Sequence, residues 1–273
     1  MKPQFAVFGQ PIRHSLSPRI HAAFGAACGI ELSYAAIEVG PDEFADTLQR
    51  FHEAGGVGAN VTLPLKELAA RLAEPLGLAA RRAAAVNTLV RSASGWAGEN
   101  TDGAGFMADL RRLGVALEGA TVLILGAGGA VRGIVGPLLD AGVARIGIAN
   151  RSAERAQALI DAFDDARLLR LELDALPASA APDLLVHAVS AAHRGESPQW
   201  PSSLIGPDTV AYELSYGLAA QAFVAWARSH GAALAADGLG MLVEQAAEAF
   251  RLWHGVRPET SAVLEELRQA LSQ

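Results

Sequence analysis

The feature that most constrains the fold is an apolar strand candidate that runs directly into a glycine-rich turn. Thr121–Leu125 is an apolar run typical of a buried parallel strand, and residues 126–130 after it include three glycines. These glycines predict a tight turn into a helix, whose first backbone N–H groups then face one point. The arrangement favours a dinucleotide pyrophosphate, although Val131 stands where the G-x-G-x-x-G pattern has its third glycine or alanine. An ordinary strand–helix turn is the alternative.

The end of the next strand candidate indicates which dinucleotide would bind. Arg145–Ala149 ends where a Rossmann unit places the adenosine ribose, and an NAD site usually carries Asp or Glu there. This chain instead has Asn150, Arg151 and Ser152, with Arg155 one helical turn further on. Because guanidinium matches phosphate by charge and by geometry, these residues favour the 2′-phosphate of NADP. The alternative is an ordinary helix start that Ser152 caps.

Length and composition limit the classes of protein. With 273 residues, about two domains are expected. The chain is 51% hydrophobic with a net charge of −7 and no basic run, so neither nucleic acid nor an anionic membrane is an expected partner. Cys28 is the single cysteine, which excludes an internal disulfide and a cysteine-based metal site. No signal peptide or membrane span is recognised, so we expect a cytoplasmic protein without a metal.

The order of elements predicts an α/β fold with mostly parallel sheets, because strand and helix candidates alternate. A proline at position 137 is expected to kink the first helix of the dinucleotide unit or to end it early. The predicted strands cover residues 5–8, 34–39, 59–63, 88–91, 121–125, 145–149, 184–188 and 210–214. The predicted helices cover residues 18–28, 42–54, 65–73, 103–113, 219–230, 241–253 and 260–271.

Polar residues follow several strand candidates, at the ends where open α/β sheets bind ligands. Ser15 and Ser17 can hold a carboxylate together with N–H groups of the helix start, or Ser17 can simply cap that helix. Asn60 and Thr62 share one face of a strand. Lys66 follows at the next helix, where a lysine can donate to a substrate oxygen and exchange a proton with it. A solvated surface lysine is the alternative.

Three further polar residues are ambiguous when each is taken separately. Asp102 either caps the helix after it or accepts a substrate hydroxyl proton and orients Lys66. Asn87 adds an amide just before a strand, and Gln245 is a polar residue within a mostly apolar helix.

These motifs form one ordered set, which is more specific than any member. The set comprises Phe8-Gly9-Gln10-Pro11-Ile12 with Ser15-Leu16-Ser17-Pro18, Asn60-Val61-Thr62-Leu63-Pro64 with Lys66, Val86-Asn87-Thr88-Leu89, Asn100-Thr101-Asp102-Gly103, the glycine turn, Asn150-Arg151-Ser152 and Asp237-Gly238-Leu239-Gly240-Met241-Leu242-Val243. In this order, and over nearly the whole length, the chain resembles the NADP-dependent shikimate dehydrogenases of bacteria.

The resemblance implies a substrate-binding domain of residues 1–101 plus 237–273, whose C-terminal helices return to it, and a Rossmann-like NADP-binding domain of residues 102–236. Lys66 and Asp102 would be the catalytic pair, and Ser15 and Ser17 would bind the substrate carboxylate. The ring hydroxyls would be held by Thr62, Asn87, Asp102, Tyr216 and Gln245, with Asn60 close by. The cofactor would contact Gly126, Ala127, Gly128, Gly129 and Ala130 through its pyrophosphate, Asn150, Arg151, Ser152 and Arg155 through its 2′-phosphate, and Leu214 and Gly238 through its nicotinamide.

The implied reaction is the reversible NADPH-dependent reduction of 3-dehydroshikimate to shikimate, a step of aromatic amino acid biosynthesis. The chain departs from the family pattern in three places. His187-Ala188-Val189-Ser190 replaces Asn-Ala-Thr, Gln221-Ala222 replaces Thr-Pro, and Pro75-Leu76-Gly77-Leu78 lacks a frequent acidic residue. These departures concern cofactor contacts and neighbouring loops more than the chemistry.

Three other functions compete with this one. A quinate/shikimate dehydrogenase using NAD or either cofactor more often has a Ser-x-Thr pair and an acid after the second strand, unlike Ser15, Ser17 and Arg151. A non-catalytic NADP-binding regulator is disfavoured because Lys66 and Asp102 are both present. A purely structural α/β protein leaves the polar cluster unexplained. A monomer and a homodimer fit the sequence equally well.

Overall fold

The chain divides into two compact units. The computed structural model describes residues 2–93, 95–176, 181–189 and 200–271, and Ser190, named above, lies outside these ranges. Unit 1 consists of the residues up to Phe106 and those from Leu242 onward, whereas unit 2 is Met107–Met241. No helix within the described ranges combines the length and the apolar character needed to cross a membrane.

Unit 1 is built on a five-stranded sheet with the order β2-β1-β3-β4-β5. Its strands are β1 (Gln4–Gly9), β2 (Ser33–Glu38), β3 (Gly56–Val61), β4 (Thr88–Ser92) and β5 (Gly95–Glu99). The first three are parallel, as predicted, whereas β4 and β5 are added in antiparallel pairings. The sequence analysis missed β5, because two of its five residues are glycines and it lacks a run of branched side chains.

Helices pack against this sheet, and the hydrophobic core of unit 1 is formed by side chains of both. They are α1 (Ser17–Cys28), α2 (Pro41–Glu53), α3 (Lys66–Leu72), α4 (Leu78–Ala83) and α5 (Asp102–Arg112), the last of which continues into unit 2. Phe8 of β1 packs edge-on against Phe44 and Phe51 of α2, with ring centroids 5.8 and 5.5 Å apart. The sequence analysis also missed α4, which is a single short turn-and-a-half with two arginines and no apolar periodicity.

Unit 2 is built on a six-stranded, fully parallel sheet with the order β11-β10-β9-β6-β7-β8. The strands are β6 (Thr121–Leu125), β7 (Arg145–Ala149), β8 (Leu168–Leu171), β9 (Leu184–His187), β10 (Val210–Glu213) and β11 (Leu234–Ala236). From β6 the chain adds β7 and β8 on one side. It then returns to the other side of β6, where it adds β9, β10 and β11. This is the strand order of the dinucleotide-binding fold, and ligands bind such sheets where the order reverses, here between β6 and β9.

Helices connect β6 to β7, β7 to β8 and β10 to β11 in unit 2, as is usual between parallel strands. They are α6 (Gly129–Asp140), α7 (Ala153–Phe163) and α8 (Leu218–Ser229), followed by α9 (Leu239–His254), which continues into unit 1, and by α10 (Ser261–Leu271) in unit 1. The expectation that Pro137 ends α6 early is wrong, since the helix continues to Asp140. Pro137 lies in the last turn, where its carbonyl still accepts a hydrogen bond from Ala141 N at 3.0 Å.

A histidine lies in the aromatic core of unit 1. His21 of α1 is fully buried and stacks on Tyr34, with ring centroids 4.5 Å apart and planes within 8°. Burial lowers the pKa of His21 to about 3, because the charged imidazolium loses its hydration there. The folded state therefore stays unprotonated at this site at pH values where an unfolded histidine is charged.

This histidine is expected to make the protein less stable in mild acid. Below about pH 6.5, His21 binds a proton in the unfolded chain but not in the folded chain. The free energy of unfolding therefore falls as the pH drops toward the folded pKa of about 3. The shift accounts for a loss of about 2 kcal/mol in the free energy of unfolding between pH 7 and pH 5. His21→Phe, which keeps the stacking, should remove most of this loss in urea titrations at the two pH values. The same change at the exposed His14 is the control, and an unaltered pH dependence in His21→Phe would contradict the prediction.

Candidate active site

A buried lysine–aspartate pair is the centre of the polar cluster in unit 1. Lys66 is the first residue of α3 and Asp102 the first residue of α5, so two helix starts bring the side chains together. Lys66 Nζ donates to Asp102 Oδ2 at 2.5 Å, and the two side chains are 13% and 5% exposed. The predicted alternative of a solvated surface lysine is therefore excluded. A largely buried ammonium fixed by a buried carboxylate can deliver a proton to one defined position.

The second oxygen of Asp102 is held by Asn87. Asn87 Nδ2 lies 2.9 Å from Asp102 Oδ1, 3.0 Å from Thr101 Oγ1 and 3.3 Å from Gln245 Oε1. On its other side, Asn87 Oδ1 accepts from the backbone N–H of Thr101 at 2.8 Å and from the hydroxyl of Thr88 at 2.9 Å. An amide has two donor hydrogens and one acceptor oxygen, so this side chain has almost no capacity left within the protein. Asn87 thus sets the orientation of the carboxylate that holds Lys66.

Asp102 does not cap its helix, contrary to one of the two interpretations of the sequence. It begins α5, and its backbone N–H is accepted at 3.0 Å by Asn100 Oδ1, two residues earlier. At α1 the capping residue is Leu16 rather than the predicted Ser17, and Ser15 Oγ accepts from Ser17 N at 3.3 Å. The oxygens of the Asp102 carboxylate instead contact Lys66 and Asn87.

Asn60 is enclosed by protein partners. Its Oδ1 accepts from the hydroxyl of Tyr34 at 2.7 Å, and its Nδ2 donates to Asn87 O at 3.2 Å and to Thr88 Oγ1 at 3.1 Å. Burial raises the pKa of Tyr34 well above its usual range, which keeps this hydroxyl a donor. Asn60 of β3 therefore links this strand to Thr88 of β4 and to Asn87, which contacts Asp102. The sequence analysis did not find Tyr34, Thr88 or Thr101 as members of this network, since lone hydroxyl residues carry no spacing signal.

The other predicted substrate residues lie in both units. Ser15 is half-buried and Ser17 buried at the start of α1, and Thr62 is half-buried directly after β3. Gln245 of α9 joins the network in unit 1, with its Oε1 also 3.3 Å from Thr101 Oγ1. Tyr216 belongs to unit 2, where it lies half-buried in the turn after β10.

The glycine turn of unit 2 has the geometry that an anion site requires. Gly126 has φ +126°, and a Cβ there would lie 2.6 Å from the carbonyl oxygen of Ala188, so two constraints require glycine. Gly128 caps α6 without any side-chain hydrogen bond, and a Cβ on it would meet open space. The first N–H groups of α6 are thus left for a ligand, which fits a pyrophosphate. Val131, the exception to the glycine pattern, is fully buried in α6.

The residues after β7 form the capped helix start that the alternative interpretation predicted. Ser152 Oγ caps α7 by accepting from Arg155 N at 3.3 Å and donates to Glu154 Oε2 at 2.8 Å. Asn150 Nδ2 donates to the carbonyl of Ser152 at 2.9 Å, which shapes the turn. Arg151 and Arg155 are both exposed, and their contact with a 2′-phosphate stays a prediction.

Leu214 and Gly238, the predicted nicotinamide contacts, lie side by side. A Cβ on Gly238 would collide with the carbonyl oxygen of Leu214, so only glycine allows the two loops to approach this closely. The backbone N–H of Gly238 donates to Ser215 O at 2.8 Å. Within the part of the chain that the structure describes, no group of three or more His, Cys, Asp or Glu side chains could hold a metal ion.

The reversing parallel sheet with its glycine turn and the buried lysine–aspartate pair define a class, the nicotinamide-dependent α/β dehydrogenases. Three family models match the chain: the shikimate dehydrogenase substrate binding domain at residues 7–89, shikimate / quinate 5-dehydrogenase at 109–195, and the shikimate 5′-dehydrogenase C-terminal domain at 238–268. The NADP(+)-dependent shikimate dehydrogenase of Xanthomonas campestris is 51% identical over 97% of this chain and 95% of its own length. The chain belongs to the shikimate dehydrogenase family.

Solved structures support the same assignment. An Ael1 enzyme from Pseudomonas putida is 42% identical, with a TM-score of 0.89 over 97% of this chain and 98% of that one. A shikimate 5-dehydrogenase from Thermus thermophilus, solved in complex with NADP(H) and shikimate, is 34% identical, with a TM-score of 0.83 over 98% of this chain and 99% of that one. The family and the α/β fold with a Rossmann-like part, both expected from the sequence, are thereby confirmed.

Proposed function

We propose that this chain reduces 3-dehydroshikimate to shikimate with NADPH, reversibly, and that Lys66 and Asp102 are its catalytic pair. As a member of the shikimate dehydrogenase family, it is an NADP-dependent oxidoreductase that acts on a CH–OH group. The observation that carries the residue assignment is the 2.5 Å contact between Lys66 Nζ and Asp102 Oδ2, in a cluster of polar side chains. A buried ammonium is costly to maintain, so its place beside this network indicates a chemical role.

The site chemistry follows from the contacts of the pair. When bound, NADPH supplies the hydride that reduces the ketone carbon. Lys66 donates a proton to the oxygen that gains negative charge in this step, and its own charge stabilises that oxygen. Asp102 holds the ammonium in place, and Asn87 fixes Asp102 by its 2.9 Å hydrogen bond. In the oxidation of shikimate, Lys66 takes the hydroxyl proton back, which requires its neutral form.

The remaining predicted residues are proposed to bind the two ligands. Ser15 and Ser17 hold the substrate carboxylate, Thr62, Tyr216 and Gln245 hold ring hydroxyls, and Asn60 supports them from behind. For NADP, the backbone N–H groups of residues 126–130 hold the pyrophosphate. The 2′-phosphate is held by Asn150, Arg151, Ser152 and Arg155. The proposed domains are residues 1–101 plus 237–273 for substrate and 102–236 for NADP. A cytoplasmic location and a homodimer stay predictions from the sequence.

The test is turnover by the wild-type chain with each of four substrate pairs. Shikimate or quinate is combined with NADP or NAD, and formation of the reduced cofactor is followed by its absorbance. The proposal predicts the highest kcat/KM for shikimate with NADP. A preference for quinate would contradict the substrate assignment, and a preference for NAD would contradict the cofactor assignment. Absence of turnover with every pair would favour a non-catalytic NADP-binding regulator.

The arginines after β7 are expected to select NADP over NAD. Arg151→Ala should raise KM for NADP about 10-fold, because one charge-assisted phosphate contact is worth roughly 1.5 kcal/mol. KM for NAD should stay the same, since NAD has no 2′-phosphate to lose. Arg145→Ala, at the opposite end of β7, is the matched control for the loss of one exposed positive charge. An equal effect of Arg151→Ala on both cofactors would contradict the prediction.

A further inference from the structure

A buried histidine–glutamate pair lies at the carboxyl ends of two neighbouring strands of unit 2. His187 ends β9, Glu213 ends β10, and the two residues are partners in the parallel register. His187 Nδ1 is in hydrogen-bond contact with Glu213 Oε2, and their side chains are 1% and 2% exposed. Neither residue has a part in the proton transfer described above. Burying two ionisable side chains this deeply costs free energy. This cost indicates that the pair has a specific role in unit 2.

The imidazole is held in one orientation. Its plane lies against the ring of Phe223, with centroids 4.5 Å apart and planes within 14°, and Trp200 packs edge-on at 5.6 Å. The other ring nitrogen, Nε2, is buried and has no hydrogen-bond partner among the residues that the structure describes. The contact with Glu213 is therefore the polar interaction that fixes this ring.

Glu213 transmits the constraint to the turn that follows β10. Its second oxygen, Oε1, accepts from the backbone N–H of Ser215 at 2.8 Å and from the Ser215 hydroxyl at 2.5 Å. The carbonyl of Ser215 in turn accepts from the N–H of Gly238 at 2.8 Å. Leu214 lies between these residues, and its N–H donates to His187 O at 2.9 Å. Through Ser215, the pair is thus linked to the turn that contains Leu214 and to the backbone of Gly238, the two positions assigned to the nicotinamide.

The opposite neighbour of His187 in the sheet is the strand that carries the glycine turn. His187 pairs in register with Leu125 of β6, and Ala188 N donates to Leu125 O at 2.8 Å. The carbonyl of Ala188 is the group that closely approaches Gly126. The pair accordingly lies where the strand order reverses, at the place where open α/β sheets bind ligands. The adenosine-side residues at the end of β7 are two strands away from β9 in the sheet.

We propose that His187 and Glu213 are positioning residues for the nicotinamide half of NADP(H). They act through Ser215 on the backbone at Leu214 and Gly238 and leave the adenosine half of the cofactor unaffected. This proposal rests on the proposed function, because it assumes that unit 2 binds NADP.

The test compares the whole cofactor with its adenosine half. His187→Leu places an apolar side chain against Phe223 and removes the polar contact with Glu213. His187→Asn keeps a nitrogen bonded to Cγ, the same number of bonds from the backbone as Nδ1 of histidine. Calorimetry on the full chain measures the Kd for NADP and for adenosine 2′,5′-bisphosphate. We expect His187→Leu to raise the Kd for NADP about 10-fold, or about 1.4 kcal/mol. The Kd for the bisphosphate should change less than about twofold, and His187→Asn should recover most of the affinity for NADP.

A second variant keeps the test decisive if His187→Leu does not fold. Glu213→Gln retains an oxygen that can accept from Ser215 but removes the charge opposite His187, and it should weaken NADP several-fold without affecting the bisphosphate. A parallel increase of both Kd values, or an unchanged Kd for NADP in these variants, overturns the proposal. A wild-type chain that binds neither compound overturns the NADP assignment and this proposal with it. Wild-type binding with parallel effects overturns this proposal alone.

Discussion

Replacing Lys66 by alanine is expected to lower kcat by about 100-fold or more, with little change in KM for shikimate. The variant loses both the proton donor and the positive charge next to the reacting oxygen, and both act mainly in the transition state. Asp102, which is 5% exposed, would also be left without its charged partner. The measurement is initial rates at saturating NADP over a range of shikimate concentrations, with melting temperatures to separate catalysis from folding.

Two further variants separate proton transfer from charge. Lys66→Arg keeps the positive charge and can still pair with Asp102, but guanidinium does not release its proton in the accessible pH range. It should therefore remain close to the alanine variant in kcat. Lys2→Ala, which breaks an exposed ion pair with Glu31 on the surface of the same unit, is the control and should be unchanged. Activity of Lys66→Arg close to wild type would show that only the charge matters.

The choice of cation at this position supports a role in proton transfer. The chain contains twenty arginines and only two lysines, Lys2 and Lys66. Arginine is the better residue for a static buried ion pair, because its planar group makes two parallel hydrogen bonds to a carboxylate. A lysine in the buried position of so arginine-rich a chain provides what arginine lacks, an amine that can give up its proton and take it back.

The centre of the site could be read from the sequence because it depends on local order. Lys66 and Asp102 each stand in a short polar motif at the start of a predicted helix, and both begin helices in the structure. The glycine turn was predictable for a similar reason. Gly126 needs a positive φ and close approach to a neighbouring strand, and glycine is the residue that satisfies both.

The parts that were missed depend on contacts distant in the chain. The edge strands β8 and β11 have four and three residues, too short for a pattern of alternation to develop. The central position of Asn87 arises because Gln245, 158 residues further along, reaches the same amide. His187 stood out in the sequence only as a departure from the family pattern. Its partner Glu213 is defined by strand register, which one sequence does not reveal.

Changing Asn87 to aspartate is expected to lower kcat about 100-fold at neutral pH with nearly the same side-chain shape. The substitution replaces the amide that donates to Asp102 Oδ1 at 2.9 Å by a carboxylate oxygen. Two carboxylates at that separation repel each other by several kcal/mol at an effective dielectric constant of about 20, so one of them must take up a proton or move away. A displaced Asp102 turns away from Lys66, and a protonated Asp102 loses the charge that holds the ammonium. As the pH falls, the introduced carboxyl becomes protonated and can donate to Asp102 again.

The diagnostic result is therefore a ratio of kcat values, variant to wild type, that rises as the pH is lowered from 8 to about 5. Gln49→Glu is the matched control, because it makes the same amide-to-carboxylate change next to a carboxylate oxygen, Glu53 Oε1 at 2.8 Å, but on the exposed face of α2. Solvent screens the repulsion there, and kcat should not change. If Asn87→Asp retains wild-type kcat at neutral pH, the hydrogen bond from Asn87 does not set the orientation of Asp102. A loss that is independent of pH would indicate that the amide acts through packing of the network rather than through the charge of its neighbour.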